Sequence, residues 1–511
     1  MGNILFLHAI GLTPYATDTC DQEGLSAFSR ITAKMFQLPE VERAVLFTDL
    51  PADKLQKHWL SEWGPLISRT DWTVDLLFQQ LKDESDGYEH LFYVWADAPL
   101  LDLALAEKMY RNHRRFFADY TFADGYPLGL TPQILKPGAL AQLIELSQRH
   151  TIEVQRDYIF EILQKDINAF DLETEVAPED QRMLRVLLAA DTRRNSLQLH
   201  RIMEAGGRDA PTVQAVLKEK PEILRTLPAY INTQITGGCP QACSYCPYPQ
   251  IGGDILNRRD EMPLEKWKSL LGSVHEYCDD AMMGISLWGE PSLHSKIDDV
   301  ITAVLDYPGL SLTVETSGVG WSVPVLERVA DTYKAKSGGD PSRLAWIVSL
   351  DSDEKELYEK LRGPQLEEAL SAIQLLGRLF PDQVYVQAVR MKDSEDQLDQ
   401  FFRRWNDREG IEVIIQKYDS FCGVLPERKV TDLSPIERFP CWHLKRDMAV
   451  LMDGTVTICR EDLENKYILG NIFEESLKDV WERGDAYYRQ HLNGEYPQLC
   501  RDCDEYYTYN F

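Results

Sequence analysis

Three cysteines within eight residues constrain this chain more than any other feature: Cys239-Pro240-Gln241-Ala242-Cys243-Ser244-Tyr245-Cys246. The loop follows an extended run, Tyr230 to Ile235, and the pair Gly237-Gly238. Thiolates at this density bind soft metals or iron–sulfur clusters. A closed four-iron cubane takes four protein thiolates, and this loop offers three. It reads as the cradle of a [4Fe–4S] cluster with one iron left open to a small molecule, as a catalytic zinc keeps a free position. A structural zinc loop is the other reading, and it calls for a second Cys or His pair close by. The next cysteine is Cys278, within a helical pattern.

The C-x3-C-x2-C spacing, with Tyr245 before the last cysteine, resembles the signature of radical S-adenosylmethionine (SAM) enzymes. That resemblance implies that the amino and carboxylate groups of SAM chelate the open iron. It also implies that one electron cleaves SAM and that a 5′-deoxyadenosyl radical abstracts a substrate hydrogen. Cys239, Cys243 and Cys246 would be the catalytic cluster ligands, and the cofactor carries the hard chemistry while the protein positions it.

With 511 residues the chain is long enough for two to four domains. Lys and Arg number 54 against 82 Asp and Glu, a net charge of -28. This argues against a broad phosphate-binding surface, so a nucleic-acid partner is not expected. Met1 to Leu12 has no basic n-region or cleavage pattern, Phe6 stands where myristoylation needs Ser or Thr, and no apolar run approaches the ~20 residues of a membrane span. A cytoplasmic protein without a membrane partner is expected. Ten cysteines in a reducing compartment point to metal or catalysis rather than disulfides. Seven of them fall into two sets, leaving Cys20, Cys278 and Cys422 as small buried side chains.

Towards the amino terminus, apolar runs at Asn3 to Ile10, Ala44 to Thr48 and Leu91 to Trp95 alternate with helical patterns, Asp102 to Phe116 among them. This predicts an α/β domain with a largely parallel sheet. The turn Ala96-Asp97-Ala98-Pro99-Leu100 resembles the metal-binding turn of cytidylyltransferase-like GT-A nucleotidyltransferases, and Gly125-Tyr126-Pro127 with Thr131-Pro132 resembles their substrate-side segment. Asp97 would be the metal-facing acid, with Asp119 and Asp124 the nearest partner acids; a turn or helix-cap role for Asp97 is equally open. The family's Gly-rich loop with Arg and Lys is absent: Ile10-Gly11-Leu12-Thr13-Pro14-Tyr15 carries one glycine, and the first basic residue is Arg30. Phosphate cradling needs close backbone approach and positive charge. The reading is a degenerate binding or scaffolding domain over residues 1–205. Thr151 to Glu204 reads as mostly helical, and Gly206-Gly207 with Pro211 open a linker, 206–226.

From residue 227 to 435, six strands alternate with helical patterns: Ile231 to Thr236, Met282 to Trp288, Leu310 to Thr316, Leu344 to Leu350, Val384 to Val389 and Ile411 to Gln416. The count matches the partial (β/α)6 barrel of radical SAM enzymes, where active groups gather at strand carboxyl ends. Trp288-Gly289-Glu290-Pro291 resembles the family's Gly-Gly-Glu-Pro motif, which implies that Gly289, Glu290 and Pro291 hold the methionine ammonium. Trp288 replaces the first glycine. Thr316-Ser317-Gly318 is similar to a Thr-Asn-Gly turn, and Ser349-x-Asp351, then Arg362-Gly363, to Ser-x-Asp-Gly and Arg-Gly. Tyr245, Ser317 and Ser349 are carried over as SAM contacts, and Asp351 more loosely. Arg390 is a candidate partner for the SAM carboxylate, or a strand-end surface arginine.

In residues 436–511, Cys441, Cys459, Cys500 and Cys503 flank a hairpin at Asp453-Gly454, the segment Leu469-Gly470-Asn471-Ile472 and a helix carrying Trp481. The order resembles a small α+β SPASM domain in its short form, and four cysteines close one auxiliary [4Fe–4S] cluster; zinc is the alternative occupant. The whole chain resembles the group called spiro-SPASM proteins, a name that supplies no substrate. Together these resemblances imply a radical SAM oxidoreductase or modifying enzyme with an auxiliary cluster for electron transfer. Its substrate would be a peptide or a nucleotide- or sugar-linked molecule, and its reductant flavodoxin or ferredoxin. The alternatives are a bifunctional protein with an active nucleotidyltransferase, and a zinc-stabilised binding protein.

Overall fold

The computed structural model describes residues 2–19, 21–285, 287–408 and 410–508; Cys20 lies outside them. The chain divides into two compact units, Met1–Leu224 and Arg225–Phe511.

The first unit is built on a seven-stranded sheet. Its strands are β1 (Asn3–Ala9), β2 (Val41–Thr48), β3 (Leu66–Ser68), β4 (Leu91–Trp95), β5 (Tyr120–Asp124), β6 (Gln133–Leu135) and β7 (Leu172–Val176), in the order β3-β2-β1-β4-β6-β5-β7. β3, β2, β1 and β4 run parallel, and β6 is antiparallel to both β4 and β5. Alternation along β1 sends Leu5, Leu7 and Ala9 into one core and Ile4 and Phe6 into the other. A strand covered on both faces has no polar side, which is why it reads as a continuous apolar run.

Two expectations for this unit change. The stretch 151–204, expected to be mostly helical, also holds a strand, because β7 pairs in parallel with β5. Its sequence, Leu-Glu-Thr-Glu-Val, alternates at an edge, a short strand signal within a stretch whose overall charge reads as a solvated helical hairpin. Within the expected linker, Ala210–Glu219 is a helix with an Asp209/Thr212 capping box, and it buries Val213, Val216 and Leu217 in the first unit's core. Pro211 sits in its first turn, where a missing N–H costs nothing, so the proline starts a helix instead of breaking one.

The second unit holds β8 (Tyr230–Thr233), β9 (Ala281–Gly284), β10 (Leu310–Thr316), β11 (Leu344–Ser349), β12 (Val384–Arg390) and β13 (Ile411–Lys417). All five neighbouring pairs are parallel, and helices such as Leu264–Cys278 and Leu366–Leu379 form the crossovers. β9 stops at Gly284, four residues short of Trp288, and Ser286 lies outside the described residues. Cys278 is fully buried, as expected. The sheet then grows from its first strand. β14 (Asp447–Val450) pairs in parallel with β8, and β15 (Thr455–Thr457) and β16 (Ile468–Asn471) continue it antiparallel into nine strands. The six-stranded core and the carboxy-terminal cysteine segment therefore share one sheet. Among the described residues no helix is long and apolar enough to cross a membrane.

Candidate functional site

The three-cysteine loop leaves the carboxyl end of β8 and is braced from three sides. The Cys239 N–H donates to the Ile255 carbonyl at 2.9 Å, and the Ser244 N–H to that of Leu361 at 2.8 Å. Beneath the loop lies a buried ion pair: Arg362 Nη1 donates to Asp351 Oδ2 at 2.8 Å, with both side chains nearly solvent-free. The Tyr245 hydroxyl bonds both members. Arg362 Nε reaches Gln241 Oε1 at 3.2 Å, and Gln241 Nε2 donates to the Tyr358 hydroxyl at 2.9 Å. Asp351 has a left-handed backbone, φ 64°, and its Oδ1 accepts the Val389 N–H at 2.9 Å. Tyr245 and Asp351, read as SAM contacts, are thus tied into the support of the loop, as Arg362 is.

The turn after β9 packs against the same loop. Gly289 has φ 85°, and a Cβ there would stand 2.3 Å from the Thr236 carbonyl oxygen, so only glycine fits. The Glu290 N–H donates to the Gly238 carbonyl at 2.7 Å, and Pro291 opens a buried short turn. The Glu290 side chain is 2% exposed. Its Oε1 accepts the Thr316 hydroxyl at 2.5 Å and the Ser292 N–H at 3.3 Å; its Oε2 accepts the Ser317 N–H at 2.8 Å and hydroxyl at 2.7 Å. Burial raises its pKa, and these bonds oppose the rise. The Glu290 carboxylate stitches the turn after β9 to the turn after β10, with Ser317 as its main partner. Trp288 stacks on Tyr248 at 5.7 Å and meets Phe421 at 5.8 Å, so the residue replacing a glycine builds an aromatic wall.

Ser349, at the end of β11, lies opposite Gln387 in the sheet and accepts from its Nε2 at 3.4 Å. Arg390 is held in a two-pronged pair by Glu395, at 2.9 and 2.6 Å.

The loop suits a soft metal group. Cys239, Cys243 and Cys246 are free and partly buried thiols. Burial raises all three pKa values, that of Cys246 to about 12 with the charge of Cys243 adding to it, while Arg362 opposes the rise at Cys243. Thiols held this high are inert alone, and a metal deprotonates them outright.

The second cysteine set converges as well. Cys441, Cys459, Cys500 and Cys503 line one cavity, together with Arg460, His491 and, from β8, Tyr230 and Asn232. The Glu505 N–H donates to Cys503 Sγ at 3.3 Å. Among the described residues, the buried atoms His491 Nε2 and Glu461 Oε2 have no hydrogen-bond partner. Burial raises Cys441, Cys459 and Cys500, the last to about 12, while a thiol bond from Cys422 holds Cys503 down. A sulfur-lined cavity with unpartnered polar atoms fits a cluster of the size four thiolates close.

Cys422 lines this cavity too. It sits on a tight loop where Phe421, Cys422 and Gly423 have φ of 50°, 54° and 84°. Two L-residues in that region cost roughly 1–2 kcal/mol each. Asp419 pins the loop by accepting from Arg460 Nη2 at 2.9 Å and from the Phe421 N–H at 2.7 Å. No spacing motif links Cys422 to the four other cysteines, so nothing in the sequence singled it out.

In the first unit, Asp97 does not stand open. Arg156 Nη1 donates to its Oδ1 at 2.8 Å and Nη2 to its Oδ2 at 2.5 Å, and Nη2 also reaches Asp191 Oδ2 at 3.3 Å. The partner acid is Asp191 and not Asp119 or Asp124, which pair with Lys136 and Arg182. A guanidinium occupies the space between the two carboxylates, as a cation of the chain's own.

Comparison with known proteins follows these two cysteine sets. The Radical SAM superfamily model matches residues 233–404, and the model for an iron-sulfur cluster-binding domain, SPASM, matches residues 441–504. A Treponema pallidum (strain Nichols) protein described only as uncharacterized is 37% identical over 365 residues, covering 69% of this chain and 99% of its own. The PqqA peptide cyclase of Xanthomonas euvesicatoria pv. vesicatoria (strain 85-10) is 23% identical over 304 residues, covering 54% of this chain and 80% of the cyclase. Among solved structures, a cytidylyltransferase from Leptospira borgpetersenii serovar Hardjo-bovis (strain JB197) overlaps at 14% identity and a TM-score of 0.36, covering 43% of this chain and 95% of its own. The cofactors that follow from the two matched domains are a SAM-binding [4Fe–4S] cluster, auxiliary iron–sulfur and SAM itself. Matched in chain order on the two cysteine sets that the fold gathers, this chain belongs to the radical SAM superfamily as an enzyme with a carboxy-terminal SPASM domain.

Proposed function

We propose that this enzyme oxidises a peptide by hydrogen abstraction. Cys239, Cys243 and Cys246 would hold the SAM cluster, and Cys441, Cys459, Cys500 and Cys503 would hold an auxiliary [4Fe–4S] cluster that would supply an electron acceptor. When bound, the SAM cluster and SAM supply the radical that takes the hydrogen atom. The SAM site would supply, at the cost of one electron from flavodoxin or ferredoxin and with release of methionine, a 5′-deoxyadenosyl group that takes the substrate hydrogen and leaves as 5′-deoxyadenosine, while the auxiliary centre would supply an acceptor for the second electron, the proton going to solvent. The chain's own part is support. The Asp351–Arg362 pair holds the cysteine loop, Glu290 locks the two neighbouring turns, and the Trp288, Tyr248 and Phe421 rings exclude water beside them.

The observation that carries this reading is the sharing of β8. Tyr230 and Asn232 on that strand line the auxiliary cavity, and Cys239 is seven residues beyond Asn232, at most about 25 Å along an extended chain. A peptide is favoured by the PqqA peptide cyclase relative. Arg156 between Asp97 and Asp191 counts against metal-dependent nucleotide transfer in the first unit.

The test is iron and zinc per chain after anaerobic reconstitution, with SAM cleavage. About eight irons are expected, falling to about four in the Cys239/Cys243/Cys246→Ala variant, which forms no 5′-deoxyadenosine. Stoichiometric zinc without iron would overturn the reading. For the substrate class, a cell-extract fraction should stimulate 5′-deoxyadenosine formation and lose that effect after protease treatment. Stimulation that survives protease would reject a peptide.

A further inference from the structure

The first unit holds a cavity of about 200 Å³ that the radical chemistry does not use. Its walls come from the carboxyl ends of β4 and β5, the segment 124–133 and the helix Tyr158–Leu163. Six of the lining side chains are aromatic: Tyr93, Trp95, Tyr120, Phe122, Tyr126 and Phe160. Two are carboxylates, Asp124 and Asp157, and none is Lys, Arg or His. We propose that this cavity binds an organic cation, the ammonium or guanidinium end of a lysine or arginine side chain of a peptide. The site stands by itself; only the peptide as the source of the cation rests on the peptide reading above.

Tyr120 and Phe122 stand two residues apart on β5, so they share a face of the sheet. Their rings stack at 5.6 Å, and Phe160 completes the group, 4.9 Å from Phe122 and 6.3 Å from Tyr120. Phe122 and Phe160 are only partly buried, which leaves ring surface uncovered. An aromatic face attracts a cation that lies over it within about 6 Å. The chain carries its own instance at this wall: the Arg156 guanidinium lies 4.9 Å from the ring centre of Trp95.

The two acids differ. Asp124 is already matched, accepting from Arg182 Nη1 at 3.1 Å and from the Gly125 N–H at 3.0 Å. The Asp157 carboxylate makes no hydrogen bond or ion pair among the described residues, and it does not cap the helix it precedes. Its neighbour Arg156 is engaged by Asp97 and Asp191. A carboxylate with open acceptors beside ring faces, in a wall without a basic group, is complementary to a cation and repels an anion. Tyr126, Pro127, Thr131 and Pro132, read from the sequence as a nucleotidyltransferase's substrate-side segment, belong to the same wall. A sugar phosphate there would meet two carboxylates and no counter-charge. The volume is below the roughly 300–1,000 Å³ of pockets that enclose a whole small molecule, so a single side chain is the fitting occupant.

The experiment is calorimetric titration of the full chain with the N-acetyl methylamides of arginine and lysine, against the neutral citrulline analogue, glucose-1-phosphate and putrescine. One saturable site for at least one of the two cationic amino-acid probes is expected, with citrulline weaker on the order of tenfold. Asp157→Asn, at an exposed position, should weaken the cation on the order of tenfold, and Phe160→Leu by about threefold, with circular dichroism unchanged in both. No saturable binding of either cation would overturn the proposal. So would citrulline or glucose-1-phosphate binding as tightly as the cations, or cation binding unaltered in Asp157→Asn. Putrescine binding more tightly than the lysine probe would make the ligand a free amine and overturn the peptide assignment. The protease test above judges the peptide substrate separately: a protease-resistant stimulant beside intact cation binding would fail that reading and leave the cation site standing.

Discussion

Asp351→Asn isolates the support of the SAM-cluster loop. Asparagine tolerates the left-handed backbone at this position and has nearly the same shape, so the change removes charge and little else. It leaves the Arg362 guanidinium buried without its carboxylate partner. Breaking one side of such a pair costs about 3–5 kcal/mol, which is roughly a hundred- to several-thousand-fold in the opening equilibrium of whatever the pair holds. The pair holds the cysteine loop through Tyr245 and Gln241, and the Ser244 amide, bonded to the Leu361 carbonyl at 2.8 Å, reports on that loop. In loaded, anaerobic protein, hydrogen exchange at Ser244 should accelerate by at least a hundredfold, and iron should fall from about eight towards about four per chain. Asp351→Asn with Arg362→Met, which removes both charges, should recover much of the protection. Exchange within threefold of the parent would refute the argument. It would mean that the Cys243 sulfur, whose charge also raises the Arg362 pKa, and not Asp351, is the counter-ion that matters.

Three further outcomes are expected. Gly289→Ala places a Cβ 2.3 Å from the Thr236 oxygen at φ 85°, so it should cost the protein its SAM-cluster iron while the auxiliary iron stays, as counted by iron analysis with EPR. His8 is buried against the Tyr93 hydroxyl at 2.5 Å, and burial, with the charge of Arg156 adding to it, lowers its pKa to about 4. It folds neutral, so its contribution is complete above pH 6.5 and is lost as pH falls from 6.5 to 4, up to about 3 kcal/mol. Melting of the first unit should drop across that window and drop less in His8→Gln; a flat profile would refute this. Arg156→Met frees Asp97 and Asp191 to face each other, so Mn2+ relaxation should detect divalent binding in the variant and none in the parent.

Much of the second unit was legible because its strands are fully buried and each ends in a turn with its own chemistry. Ile231, Leu310, Leu344 and Val384 each lie within expected strands, and the cysteine loop and Gly289-Glu290-Pro291 sit just past strand ends. Partner choice was much less legible. Thr316, Ser292 and Ser317 bond the Glu290 oxygens, and Arg390 meets Glu395 five residues along, partners that no motif names. A carboxylate's type is written in the sequence, but its partner depends on which turn the barrel brings alongside. Asp191 is 94 residues from Asp97 and Cys422 is 81 from Cys503, and no local pattern joins either pair. β7 and the helix Ala210–Glu219 were missed for the opposite reason: the charge of the surrounding stretch outweighed five alternating residues, and a proline read as a breaker opens a helix when it sits in the first turn.

The parallel pairing of β14 with β8 has a consequence for how the two cysteine sets depend on each other. β8 has both edges occupied, by β9 on one side and β14 on the other. The carboxy-terminal segment therefore covers an edge that a six-stranded partial barrel would leave open, and an exposed strand edge invites aggregation. Arg225 strengthens the seam, donating to the Leu444 carbonyl at 2.9 Å and the Trp481 carbonyl at 2.8 Å while its guanidinium lies over the Trp481 ring. The auxiliary cavity is walled by β8 residues, so filling it stiffens the strand that launches the SAM loop. Binding at one centre that orders a shared element favours binding at the other, and the coupling is reciprocal. The carboxy-terminal centre accordingly supports the fold of the first centre.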